Sequence, residues 1–555
     1  MKVSDLIVRC LEGEGVKYVF GIPGEENEDL LLSLETSDIR FITTRLELGA
    51  SFMADVYGRL TGRAGVCLST LGPGATNLVT GVADAHLDKA PVVAITGQAA
   101  SDRMHKESHQ KIDIINMFKP ITKWNASIQN PQVVTEVVRK AFKLAEMEKP
   151  GATHFELPED IARLDCSHQP ITPRPVRRAA PDSQAVSAAM QLLSQSKRPL
   201  ILAGNGAIRE RSSRQLRALV AAAYIPVVST FMGKGAVSDR DEHSLFAVGL
   251  QTRDYVNGAI DRADLILTVG YDIAEYAPEF WNHDSSRQIV HIDFLPAEVY
   301  DFYQPTVEIV SDVSGALSAL TERVKKEHLV FDTGWFWPLR KQIEIDIRSY
   351  RLSPGDEFTV PGVLHIIRDV MNPGDILISD VGSHKMWIGR NYPTYEPNSV
   401  IMSNGLASMG IALPGGVAAK LACPDKQVVA VMGDGGFLMN SQEIETARRI
   451  GVGFTIIVFN DNEYGLISWK QFNHTGRTFG TKLTNPDLMQ YARSFGIKGY
   501  APQNLEQLQS NLKEAITSQE LCLIEVPIQS KVNYDLSRKL ERNLCEPFRF
   551  PSPGG

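Results

Sequence analysis

Several things are scarce in this sequence, and each scarcity excludes something. No apolar run approaches the roughly 18 residues that a bilayer-spanning helix needs, so no membrane partner is expected. The six cysteines, Cys10, Cys67, Cys166, Cys423, Cys522 and Cys545, stand far apart with no C-x-x-C pair. That spacing argues against both a disulfide framework and a zinc site, and it suits a reducing cytoplasm. Positive charge is not in excess either: the formal net charge is −8. A nucleic-acid partner would need a basic face to displace counterions from phosphates, and none is expected here. The opening residues, Met1-Lys2-Val3-Ser4-Asp5, soon meet Glu12 and Glu14, so a secretory apolar core is lacking.

What remains is an ordinary globular composition, 43% hydrophobic and 22% charged. The 555 residues exceed what one core can organise, so about three domains are predicted. Two stretches read as linkers: Gln169 to Asp182, rich in Pro, Arg and Ala, and Leu352 to Gly362, with Pro354, Gly355, Pro361 and Gly362. They divide the chain into 1–168, 183–350 and 355–530, with a tail of lost periodicity over 531–555.

Within these segments short apolar runs alternate with helical stretches. Val92–Gly97, Leu200–Gly204, Leu265–Gly270, Asp375–Asp380 and Val428–Gly433 are such runs, each ending on Gly or Asp. Uninterrupted apolar strands are buried on both faces, as in parallel sheets covered by helices on both sides. The fold class expected is therefore α/β, with ligands collecting beyond the carboxyl ends of the strands.

The strongest chemical signal is Gly433-Asp434-Gly435-Gly436, placed between a strand and a helical stretch from about Ser441 to Arg449. A second strand, Phe454 to Phe459, then ends in Asn460-Asp461-Asn462-Glu463. A right-handed crossover would set Asp434 and Asp461 side by side at two strand ends. Two carboxylates and a loop carbonyl suit Mg²⁺, a hard ion that completes its shell with phosphate oxygens and water. The glycines let backbone N–H groups approach a diphosphate. By residue type alone, an Asp-Gly turn followed by an Asn-Asp turn is also a common loop feature.

The spacing of these two motifs resembles the thiamine-diphosphate signature of the pyruvate-decarboxylase and acetolactate-synthase superfamily. The resemblance implies three domains: an N-terminal pyrimidine-binding one, a central Rossmann-like one and a C-terminal one for diphosphate and Mg²⁺. It implies that Asp434, the Asp461 side chain and the Glu463 carbonyl hold the metal. The segment Gly433 to Gly436 and the run Glu463-Tyr464-Gly465-Leu466-Ile467 would contact the cofactor. Gly382-Ser383-His384 and Ala407-Ser408-Met409-Gly410 resemble the parts that hold the diphosphate and wedge the cofactor into a bent shape. Nearer the start, Ile22-Pro23-Gly24 and Gly72-Pro73-Gly74-Ala75-Thr76-Asn77 resemble cofactor loops, with Pro23, Gly24, Pro73 and Asn77 as contacts. Glu47, in Arg45-Leu46-Glu47-Leu48-Gly49-Ala50, stands where the family's Glu hydrogen-bonds the aminopyrimidine and promotes loss of the C2 proton. On its own, Glu47 could equally be an acidic residue favouring a helix start. His109 and Gln110 fall where the family faces its substrate, which makes Gln110 the candidate for orienting the acceptor.

Within the superfamily the chain looks most like catabolic, flavin-independent acetolactate synthase. Gly270-Tyr271-Asp272, Glu275-Tyr276-Ala277-Pro278 and His291-Ile292-Asp293 carry that likeness. The Phe-Asp-Asp-Arg segment by which biosynthetic relatives touch FAD is missing, so FAD is not expected. Lys470 stands where those relatives have an acceptor-selecting Trp, which favours pyruvate as both donor and acceptor. Small 2-oxo acids are thus the expected substrates, and 2-acetolactate the product. A homodimer or homotetramer with sites at the subunit contact is the implied assembly. Two departures stand out: Leu46 where His is usual, and the acidic run Gly24-Glu25-Glu26-Asn27-Glu28. Another 2-oxo acid carboligase or decarboxylase stays open. From other classes there remain a dinucleotide-binding dehydrogenase, suggested by Ala203-Gly204-Asn205-Gly206-Ala207, and an inactive scaffold protein.

Overall fold

The Val-, Ile- and Leu-rich runs become strands, fully buried in central ones such as Gly65–Ser69, Val92–Gln98, Pro199–Ala203 and Leu265–Val269 and partly exposed in the edge strands Arg40–Thr43, Trp124–Ser127, Val307–Val310 and Lys498–Tyr500. A computed structural model describes residues 1–249, 256–534 and 536, and in it these strands form three separate sheets. The first holds β1 (Tyr18–Gly21), β2 (Arg40–Thr43), β3 (Gly65–Ser69), β4 (Val92–Gln98), β5 (Trp124–Ser127) and β6 (Ala152–Pro158), in the order β2-β1-β3-β4-β6-β5. The second holds β7 (Pro199–Ala203), β8 (Val227–Thr230), β9 (Ser244–Val248), β10 (Leu265–Val269), β11 (Gln288–Asp293) and β12 (Val307–Val310), ordered β12-β11-β10-β7-β8-β9. The third holds β13 (Ile376–Ser379), β14 (Val400–Met402), β15 (Val428–Gly433), β16 (Thr455–Asn460), β17 (Lys498–Tyr500) and β18 (Cys522–Pro527), ordered β14-β13-β15-β16-β18-β17. All neighbouring strands run parallel.

The first and third sheets share one permutation of strands, as two copies of a single plan would. The middle sheet has the doubly wound order of dinucleotide-binding folds, reversing direction between β7 and β10. Side chains alternate between the two faces. Along β3, Cys67 faces one apolar cluster, whereas Val66 and Leu68 face another. The second cluster is closed by helices 3–13 and 134–146, and the first by helices 47–61, 73–87 and 412–422. That first cluster is continuous from the first sheet to the third, joining Phe20 and Ala94 to Ile378, Ala430 and Ile456. The sequence-based α/β expectation, parallel sheets under helices, matches this architecture.

Two local readings differ. Pro361 and Gly362 read as linker but lie in the first turn of the helix Val360–Val370, where the Thr359 hydroxyl accepts the Gly362 N–H at 3.3 Å. Proline is tolerated there because a first-turn N–H has no helical partner to lose. The helical stretch expected from Ser441 begins earlier, as helices Asp434–Asn440 and Glu443–Ile450. Of the tail expected over 531–555, residues 531–534 and 536 are helical, and the rest lies outside the described residues. Among the described residues, no helix is long and apolar enough to cross a membrane.

Candidate functional site

β15 and β16 pair in parallel with Gly433 opposite Phe459, so Asp434 and Asp461 emerge from adjacent strand ends. They line a cavity of about 220 Å³ together with Ser383, His384, Ala407, Met409, Gly433, Gly435, Gly436, Glu463, Tyr464, Gly465, Leu466 and Ile467. Every site residue proposed from the C-terminal third is therefore in one place. Gly465 leaves room for the Asp461 carboxylate: a Cβ on it would stand 2.7 Å from Asp461 Oδ2, which would have to shift.

The electrostatics of this cavity favour a cation. Burial, then the facing charge of Asp434, pushes the Asp461 carboxyl up to about 7, and burial likewise raises Asp434. A divalent ion between them would relieve both effects. The Glu463 side chain is turned away, accepting the Thr481 hydroxyl at 2.8 Å and pairing with Lys482 at 3.1 Å. Its carbonyl, not its carboxylate, is then the group left to serve as a ligand. No cluster of three or more His, Cys, Asp or Glu side chains arranged for a metal occurs among the described residues. An ion held by two carboxylates must take its other oxygens from a ligand and water, as Mg²⁺ does with phosphates.

Other features of the cavity fit a diphosphate. His384 is 4% exposed, and its Nε2 is buried without a protein partner. Burial drives its pKa down to about 4, so the ring is neutral and able to donate one N–H. Asp380, fully buried at the end of β13, accepts the N–H groups of Gly410 at 2.9 and 3.0 Å and of Ala412 at 3.2 Å. These bonds clamp the turn that carries Met409, in which Ala407 adopts φ of +55°. A non-glycine residue in that region is strained and persists only where its surroundings enforce it.

The N-terminal candidates form a second group. Glu47 is the first residue of the helix Glu47–Thr61 and is 7% exposed, its Oε2 accepting the Asn77 amide at 3.0 Å. A Cβ on Gly24 would lie 2.4 Å from the Thr70 side chain, and one on Gly72 would lie 2.8 Å from the Gln110 carbonyl. Loops after β1, β2 and β3 thus converge with the segment bearing His109 and Gln110. Pro23, Pro73, Asn77, His109 and Gln110 are exposed on this face. None of these N-terminal residues lines the cavity, whose lining residues all lie between 381 and 528.

Sequence reasoning missed Asn485, whose amide donates to Asp434 Oδ2 at 2.6 Å and to the side chains of Asn460 and Asn462 at 3.0 Å. It lies in irregular chain with no motif to mark it. Val381, Phe459 and Ile528, apolar residues that line the cavity, carried no signal either. The suspected dinucleotide loop of the second sheet is closed by its own chain. The Gly206 N–H donates to the Gly270 carbonyl at 2.7 Å, and the Asn205 N–H reaches both oxygens of the buried Glu275 carboxyl at 3.0 Å.

Comparisons with known proteins agree with this geometry. Family models match residues 1–117 (thiamine pyrophosphate enzyme, N-terminal TPP binding domain), 186–320 (central domain) and 380–526 (C-terminal TPP binding domain). The chain is 32% identical to an acetolactate synthase of Bacillus subtilis, over 98% of this chain and 96% of that protein. It is 34% identical to a catabolic acetolactate synthase of Raoultella terrigena, over 96% and 95% of the two chains. With a probable acetolactate synthase large subunit of Methanocaldococcus jannaschii it shares 33% identity, over 95% and 92%.

Proposed function

The chain belongs to the thiamine pyrophosphate enzymes as a carboligase of the acetolactate synthase family, and from that premise we propose that it condenses two pyruvates to 2-acetolactate and CO₂, using Mg²⁺ and no flavin. The observation that carries this reading is the pairing of Asp434 and Asp461 in one cavity with the glycine turn and the unpartnered His384 Nε2.

Bound thiamine diphosphate supplies the carbon nucleophile and the electron sink for decarboxylation. Asp434, Asp461 and the Glu463 carbonyl are the residues that would hold Mg²⁺. The Gly436 N–H and the His384 ring face the phosphate oxygens. Met409, on the turn clamped by Asp380, would support the cofactor in the cavity. Glu47 exchanges a proton with the aminopyrimidine from a buried carboxyl, the setting in which such a group is tuned for proton transfer. Gln110 and His109 face the 2-oxo acid.

The separation of Glu47 from the cavity within one chain supports a homodimer, or a dimer of such dimers, in which each site joins one chain's N-terminal group to its partner's cavity. Glu275 supports independence from FAD, because its carboxyl group already takes the loop N–H that a dinucleotide phosphate would use. The relatives' names support acetolactate as the product. The unpaired cysteines Cys10, Cys67, Cys166, Cys423 and Cys522 support a reducing, cytoplasmic location. Titrating purified protein with thiamine diphosphate in the presence and absence of Mg²⁺ tests the site: tight binding only with metal is expected, and metal-independent binding would refute the ligand set.

A further inference from the structure

The carboxyl group of Glu443 is fully buried, comes from the C-terminal third, and is not among the residues lining the cavity described above. It accepts the Arg45 N–H at 3.0 Å and the Leu46 N–H at 3.1 Å, both on Oε1, while the Thr446 hydroxyl donates to Oε2 at 2.6 Å. Arg45 and Leu46 are the two residues immediately ahead of Glu47. The helix that Glu47 opens has Leu46 at its cap position, and a leucine side chain cannot accept a backbone N–H. N3 is Gly49, with no side chain to reach back to the Leu46 N–H, and the Glu443 carboxylate, 397 positions away in sequence, accepts that N–H instead.

The fit between the two segments is close. A Cβ on Gly49 would stand 2.7 Å from Glu443 Oε1, so the helix approaches this carboxylate only because residue 49 is glycine. From the same helix as Glu443, Arg449 donates to the Thr43 carbonyl at the end of β2. The turn from Thr43 to Leu46 is thus held at both ends by the helix Glu443–Ile450. Burial raises the Glu443 carboxyl, an effect its hydrogen-bond donors oppose. An uncompensated carboxyl of this kind is costly, and the three donors are what make it tolerable.

We propose that Glu443 is a positioning residue for Glu47: by fixing the Arg45 and Leu46 N–H groups it sets the direction in which the Glu47 carboxyl leaves the helix start. This rests on the reading of Glu47 as the proton-exchanging group. A misplacement of the order of 1 Å in such a group costs about 100-fold in rate. The helix 443–450 follows directly on the Asp434 helix, so the metal-binding third of a chain dictates the geometry of that chain's own Glu47.

The test uses Glu443→Leu, Glu443→Gln and Glu47→Gln in the full-length protein. In the cofactor-free state, hydrogen–deuterium exchange over residues 43–50 should quicken in Glu443→Leu and stay near wild type in Glu443→Gln, whose amide oxygen can still accept both N–H groups. With thiamine diphosphate and Mg²⁺ bound, exchange of the cofactor's C2 proton, followed by NMR, should slow about 10- to 100-fold in Glu443→Leu. Cofactor affinity by calorimetry should hold, and Glu443→Gln should recover most of the C2 exchange rate. If Glu443→Leu does not fold, Gly49→Ala displaces the same carboxylate from the other side and is read identically. Slow C2 exchange in Glu47→Gln with a wild-type rate in Glu443→Leu or Gly49→Ala would overturn the positioning role alone. A wild-type rate in Glu47→Gln would overturn the assignment of Glu47, and the positioning role with it.

Discussion

Asn485 donates its side-chain amide to Asp434 at 2.6 Å and thereby fixes one oxygen of the carboxylate that faces Asp461. The other oxygen, Oδ1, takes the Gly435 N–H at 2.9 Å. Groups that orient a metal ligand, without touching the metal, typically contribute about 10- to 100-fold to metal affinity. Asn485→Ala is expected to weaken Mg²⁺-dependent binding of thiamine diphosphate by that order, and Asp434→Ala to weaken it further. Isothermal titration at fixed Mg²⁺ measures both; an unchanged affinity in Asn485→Ala would remove it from the site.

Glu275 predicts a pH dependence of stability. Burial, then the nearby charge of Asp272, pushes its carboxyl up to about 8, although the Asn205 N–H and the Thr230 hydroxyl donate to it. An unfolded Glu titrates near 4.3. Between those values the folded chain holds a proton that the unfolded chain releases, so the folded state binds more protons. The stabilising contribution is present in full below the unfolded pKa and declines as pH rises through about 8. The apparent Tm should therefore fall from pH 6 to pH 9 more steeply in the wild type than in Glu275→Gln. Equal slopes would contradict the assignment. The purified protein should also show no flavin absorbance.

The reach of the sequence is instructive at particular positions. Asp434 and Asp461 were legible because they end two adjacent strands of one βαβ unit, where crossover handedness leaves little freedom. The parallel sheets were legible because both-face burial writes unbroken apolar runs. Asn485 and Glu443 were not legible. Each acts through a contact between segments far apart in sequence, and an Asn before Pro486 or a Glu at a helix start has an ordinary local explanation. Pro361 and Gly362 misled for the opposite reason: the same residues punctuate a linker and open a helix.

The separation of Glu47 from the Asp434 cavity leads to a mixing experiment. Glu47→Gln and Asp434→Ala should each be nearly inactive. Unfolded together and refolded, they should regain up to about a quarter of wild-type activity, since random pairing makes half the dimers mixed, each with one intact site. A mixture that stays inactive while refolded wild type recovers would show that each chain builds its own site.

The most direct measurement of the central claim is the product balance with pyruvate. Purified protein with thiamine diphosphate, Mg²⁺ and pyruvate, and no added flavin, should release one CO₂ and form one 2-acetolactate for every two pyruvates consumed. Omitting either thiamine diphosphate or Mg²⁺ should abolish the reaction. Acetaldehyde as the main product, or turnover that persists without thiamine diphosphate, would contradict the account.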